Sequence, residues 1–98
     1  MTEDSQKYPV VLITGAAGGV GRATVKYFNE KGWKVIGTDR KERYAEFPEN
    51  GLYIQADISV PSNLDLIYGH AAAFSPTLDA VVNNAGYQIS KPLIETSA

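Results

Sequence analysis

The residues in this sequence with the clearest capacity for chemistry are glycines. Thr14-Gly15-Ala16-Ala17-Gly18-Gly19-Val20-Gly21 stands between a short apolar run and an amphipathic stretch. At the start of a helix, such a loop offers unpaired backbone N–H groups and the positive end of the helix dipole, a setting that favours a phosphate anion. Gly15, Gly18, Gly19 and Gly21 let the chain turn sharply and let a pyrophosphate approach the backbone without striking a Cβ. Gly21 is followed by Arg22 rather than by Lys-Ser or Lys-Thr, which excludes a P-loop. The bland alternative is a glycine-rich turn that holds no ligand.

A second signal is acidic. Asp39 falls about 20 residues past the glycines, where a dinucleotide-binding fold places a carboxylate on the adenosine ribose hydroxyls. A carboxylate there also repels a 2′-phosphate, so Asp39 favours NAD over NADP. The neighbouring Arg40 is able to pair with a 2′-phosphate and keeps NADP as the lesser alternative.

Other chemistries find little to build on. The chain has no cysteine, hence no disulfide, no thiolate metal site and no thiol nucleophile. Its single histidine, His70, has no carboxylate cluster around it in sequence and reads as a surface residue; no metal site is expected. A net charge of −2 is the wrong sign for nonspecific nucleic-acid binding. The polar start MTEDSQKY lacks the apolar core of a signal peptide, and no run approaches the ~20 apolar residues that span a bilayer, so a soluble cytoplasmic protein is expected. Hydrophobic residues at 44% and charged residues at 20% fit one ordinary globular domain for a 98-residue chain.

The elements around these residues can be read from periodicity. Residues 1–8 read as a frayed tail. Val10-Val11-Leu12-Ile13 is continuously apolar and β-branched, the pattern of a strand covered on both faces. Residues 19–31 predict a helix with Val20, Ala23, Thr24, Tyr27 and Phe28 on its apolar face, ended by Gly32. Strands come next at 33–38, opened by Trp33, and at 52–56, with a solvated charged turn after Asp39. A second helix, capped by Ser59 or Ser62, carries Leu64, Ile67, Tyr68 and Ala71 inward. A fourth strand covers 78–83, and residues 91–95 open a third helix. Strands alternating with helices predict an α/β, Rossmann-type parallel sheet of order 3-2-1-4 with two to three helices.

These motifs resemble those of the short-chain dehydrogenases/reductases. The family's Thr-Gly-x-x-x-Gly-x-Gly signature is matched by Thr14, Gly15, Gly19 and Gly21, and its Asn-Asn-Ala-Gly motif by Asn83-Asn84-Ala85-Gly86. Gly18 also gives the glycine spacing of the family's extended branch; the Asn-Asn-Ala-Gly motif favours the ordinary-length branch. The resemblance runs from about residue 10 to residue 95. It implies a cofactor site made of Gly15, Ala17, Gly18, Gly19, Val20 and Gly21, with Asp39 and Arg40 at the ribose. Asp57 and Ile58 would flank the adenine, and Asn84, Ala85 and Gly86 would line the cleft. Asn83 would brace the strand ends.

The resemblance also implies hydride transfer between a nicotinamide dinucleotide and a carbonyl or alcohol carbon. Family members run to roughly 250 residues, and their catalytic Asn, Ser and Tyr-x-x-x-Lys lie well past the Asn-Asn-Ala-Gly motif. Residues 9–98 are therefore expected to be the N-terminal, cofactor-binding half of a dinucleotide-binding domain, with the catalytic half absent. No catalytic residue is assigned. Tyr27/Lys31 and Tyr87/Lys91 have the Tyr-x-x-x-Lys spacing, but the first pair reads as core plus helix end and the second as loop. The alternative is a free-standing nucleotide-binding or scaffold module without catalysis. An open edge at Val81-Val82 would offer a route to a homo-oligomer.

Overall fold

The computed structural model of the chain describes residues 8–84. Its elements are β1 (Val10–Thr14), α1 (Gly19–Glu30), β2 (Lys34–Asp39), β3 (Leu52–Gln55), α2 (Pro61–Phe74) and β4 (Ala80–Asn83). The four strands form one parallel sheet in the order β3-β2-β1-β4, the partial Rossmann-like arrangement expected from the alternation of strands and helices. The expected third helix at 91–95 lies outside the described residues, as does residue 7 and everything before it.

β1 is buried on both faces because successive side chains alternate. Val10 and Leu12 pack with Ile36, Ile54, Ile67 and Ala71 on the α2 side. Val11 and Ile13 pack with Ala16, Val25, Val35 and Phe47 on the α1 side. Full burial of each such aliphatic side chain stabilises the fold by about 1.5–3 kcal/mol. At the other end of the strands, the Asp79 carboxylate accepts the Val10 amide at 2.8 Å, and the Asp79 amide donates to the Val10 carbonyl at 2.8 Å. This exchange precedes β4, which begins at Ala80 rather than at residue 78.

The inward face of α1 differs from the expected one. Val20 and Tyr27 are 70% and 56% exposed, and Ala23 is exposed too, while Gly21 and Val25 are buried. The helix is rotated so that Gly21, the residue without a Cβ, meets the glycine loop; Val25 and Phe28 continue the same face. Tyr27 is therefore not core: its ring stacks edge-on against Phe28 and lies under the Lys31 ammonium. The helix closes with a Schellman arrangement, Trp33 N–H to Phe28 O at 3.0 Å and Gly32 N–H to Asn29 O at 3.1 Å. Trp33 precedes β2 and packs on Phe28 with ring centroids 4.9 Å apart.

Neither Ser59 nor Ser62 caps α2. Val60 holds the cap position, Pro61 is the first helical residue, and no side chain bonds the helix start. Ser59 is instead drawn to Asp57, to which its amide and hydroxyl both donate. Ile67 and Ala71 face inward as expected and Leu64 is half-buried, but Tyr68 is 36% exposed.

The segment 40–51 also departs from expectation. Its charged residues are solvated, but Phe47 is 1% exposed. Its ring lies over Gly37 of β2, where an added Cβ would come within 2.7 Å of it. Tyr44 and Tyr53 meet the same ring edge-on at 5.9 and 5.2 Å.

Candidate functional site

The carboxyl ends of all four strands open into one cleft of about 210 Å³. Gly15 and Gly18 enter it after β1, Thr38, Asp39 and Arg40 at the end of β2, Ala56, Asp57 and Ile58 after β3, and Asn84 after β4. Ligands of open α/β sheets bind at this end of the strands, where connections run to opposite faces of the sheet. Here β1 leads into α1, whereas β3 leads into α2 on the other face. A larger hollow of about 480 Å³ lies between α1 and residues 44–48, away from the strand ends.

Local geometry explains the glycine loop. Gly15 turns the chain out of β1 with φ +65°, a conformation that L side chains rarely adopt. The Gly15 carbonyl accepts the Gly18 amide at 3.2 Å. A Cβ on Gly21 would be built into that same carbonyl, so α1 approaches the loop only because residue 21 is glycine. At Gly19 a Cβ would meet nothing within 4 Å. Gly18 is the N-cap of α1, and no side chain caps the helix. The first N–H groups of a helix have no intrahelical acceptor, and no side chain supplies one at this start.

Asp39 is tied to that loop. Its Oδ2 accepts the Ala17 amide at 3.0 Å, and its Oδ1 accepts the Lys41 amide at 2.9 Å. The Ala16 amide donates to the Thr38 carbonyl at 3.1 Å, adding a second link between loop and β2. Arg40 is exposed beside the carboxylate. Asp57 begins a turn: its Oδ1 accepts the Ser59 hydroxyl at 2.6 Å and the Ser59 amide at 2.9 Å. These two bonds hold its carboxyl below the usual carboxylate range.

Thr14 organises the fourth corner. Its hydroxyl donates to Asn83 Oδ1 at 2.8 Å and accepts the Asn84 amide at 3.1 Å. Asn84 Nδ2 donates to Thr24 Oγ1 at 3.3 Å, linking the end of β4 to α1.

Of the residues expected at the site, Gly15, Gly18, Asp39, Arg40, Asp57, Ile58 and Asn84 share the cleft. Ala17 and Gly21 lie beneath it, buried; Gly19 and Val20 stand exposed at the helix start. Ala85 and Gly86 lie outside the described residues. Sequence reading passed over Thr38 and Ala56, whose position directly before the two strand-end acids was the available signal. Thr24, assigned only to an apolar face, had no signal of its own.

A family model described as short chain dehydrogenase matches residues 9–98. The chain belongs to the short-chain dehydrogenases. An NAD-dependent glycerol dehydrogenase of Listeria innocua is 33% identical over 82 residues, covering 79% of this chain and 32% of the relative. Two solved structures agree with this short-chain dehydrogenase chain in fold. A 3-ketoacyl-(acyl-carrier-protein) reductase from Brucella melitensis, complexed with NADH, has a TM-score of 0.74 and 28% identity over 91% of this chain and 42% of that one. ElxO with NADP bound has a TM-score of 0.71 and 26% identity over 86% of this chain and 37% of that one. The chain spans about a third of the length of the curated short-chain dehydrogenase relatives it matches.

No helix among the described residues is long and apolar enough to cross a membrane. No group of three or more His, Cys, Asp or Glu among them is placed to hold a metal ion.

Proposed function

We propose that the cleft binds a nicotinamide dinucleotide, NAD in preference to NADP, and presents it for hydride transfer to or from a carbonyl or alcohol carbon. The observation that carries this reading is the junction of the uncapped α1 start with the Asp39 carboxylate through the Ala17 amide. A pyrophosphate needs N–H donors and room near the backbone, and the first turn of α1 offers both. An adenosine ribose needs an acceptor at the end of β2, and Asp39 is that acceptor. The carboxylate also disfavours a 2′-phosphate, while Arg40 beside it limits that penalty.

Asp57 and Ile58 then flank the adenine, where the Asp57 carboxylate accepts from an exocyclic amine. Asn84 lines the cleft after β4. A bound dinucleotide would donate the hydride when reduced or accept it when oxidised; the residues of this chain would bind and orient it.

No proton donor is assigned among the described residues. Tyr27 and Lys31 share a helix face, but Tyr27 lies eight residues beyond Gly19, about 12 Å along α1 from the helix start at 1.5 Å per residue.

Calorimetric titration with NAD and NADP tests the assignment. Saturable one-site binding with NAD the tighter ligand is expected. A folded protein that takes up neither dinucleotide overturns it.

A further inference from the structure

Arg22 lies in the first turn of α1 but is not part of the cleft lining. Its Nε donates to the Ala17 carbonyl at 3.0 Å, and its guanidinium carbon stands 4.2 Å from the centroid of the Tyr44 ring. These two contacts belong to different loops. Ala17 is in the glycine loop; Tyr44 is in the segment that runs from β2 to β3. Tyr44 is itself set edge-on against Phe47 and Tyr53, and the Tyr53 hydroxyl donates to the Lys41 carbonyl at 2.7 Å.

Asp39 grips Ala17 from the other side, by its amide, and also holds the Lys41 amide. Arg22 and Asp39 therefore secure both polar backbone groups of one residue. Each connects that residue to the turn after β2. The loop so secured contains three of the most flexible residues available, Gly15, Gly18 and Gly19.

We propose that Arg22 is a positioning residue for the dinucleotide: a strap between the Ala17 carbonyl and the Tyr44 ring that fixes the α1 cradle relative to the Asp39 carboxylate. It raises affinity by ordering the loop before the ligand arrives, since ordering on binding reduces affinity. This role rests on the assignment of the cleft to a nicotinamide dinucleotide.

Helix electrostatics separate the strap from a merely helical role. A cation in the first turn of a helix opposes the helix dipole, so removal of Arg22 favours the helix if the side chain has only a helical role. The strap needs a planar group that donates and stacks at once, which guanidinium does and ammonium does not. R22K is therefore a disruptive change here despite its conserved charge.

The test is calorimetric titration of NAD into the parent protein, R22K, R22Q, Y44L and R22Q/Y44L, with amide hydrogen exchange on each. Weakening of NAD binding by about five- to tenfold is expected in R22K and R22Q, the loss of a contact of this class. Faster exchange at Ala17 and Gly18 accompanies it. The double variant binds no more weakly than the weaker single variant, because both cut the same strap. Parental affinity in R22K, unchanged exchange at Ala17, or additive losses in the double variant overturn the proposal. If Y44L does not fold, R22K and the exchange rates decide alone. A parent protein that binds no NAD removes the cleft assignment and this inference together; a binding parent with an unaffected R22K removes only the strap.

Discussion

The Ala17 amide donates to Oδ2 of Asp39 at 3.0 Å, joining the glycine loop to the end of β2 across 22 positions of sequence. With Oδ1 on the Lys41 amide, both carboxylate oxygens serve the shape of the cleft. Each oxygen keeps a further lone pair for a ligand hydroxyl. On the proposed function, structural and binding roles thus fall on one side chain.

Asp39→Ala should therefore do more than change cofactor preference. NAD affinity is expected to fall roughly 10- to 100-fold, the range for hydrogen bonds to a charged group. Discrimination against NADP narrows, yet NADP does not reach the parental affinity for NAD, because the loop has lost its latch. Parallel titrations with both dinucleotides check this; equal NAD affinity in variant and parent removes Asp39 from the site.

Gly21→Ala places a methyl group in the Gly15 carbonyl. Backbone has no rotamer to yield, so α1 must move off the loop. Destabilisation of about 1–3 kcal/mol or more is expected, a fall in Tm of about 4–8 °C per kcal/mol in a domain of this size. Gly19→Ala meets no atom and serves as the control; equal melting of the two variants contradicts the packing argument.

Thr14→Val keeps the shape of a 2%-exposed side chain and deletes its hydroxyl. Asn83 Oδ1 loses its 2.8 Å donor and the Asn84 amide loses an acceptor. A loss of about 1–3 kcal/mol is expected from the polar groups left behind. Denaturant unfolding measures it, and Asn84 should show the largest amide shift in the NMR spectrum.

Burial, with a smaller push from the nearby Asp39 carboxylate, raises the Tyr53 phenol to about 12. The folded state then holds this proton more tightly than the unfolded chain, whose tyrosines ionise near 10. The resulting stability is fully present below about pH 10 and is lost as pH rises from about 10 towards 12. Tyrosinate absorbance should show a late-titrating phenol that disappears in Tyr53→Phe. A Tyr53 signal at the ordinary value contradicts the assignment.

Sheet order, and much of the set of residues that share the cleft, were legible where pattern and chemistry coincide. Val10 to Ile13 announces a doubly covered strand, and the glycines at 15, 18 and 21 announce a tight turn into a helix start. The orientation of α1 was not legible from hydrophobicity, because the residue that selects the buried face is Gly21, which has no side chain to count. Phe47 was hidden by its charged neighbours, since its burial depends on Gly37 of β2 lying opposite it. The missing serine cap on α2 has a similar origin: Asp57 competes for Ser59 and wins it with two bonds. In each case a partner in another element or loop, or a competing local bond, decided the outcome.

Phe47 is the one fully buried residue between Thr38 and Ile54. Around it stand Arg40, Lys41 and Arg43, all exposed and all cleavable by trypsin. Proteolysis of this segment requires it to lift from the sheet, and lifting it withdraws the Phe47 ring from its seat on Gly37. The rate of nicking at these basic residues is thus a gauge of one ring's release, separate from global unfolding. A ligand that grips the end of β2 should slow the cut without any contact to the residues being cut.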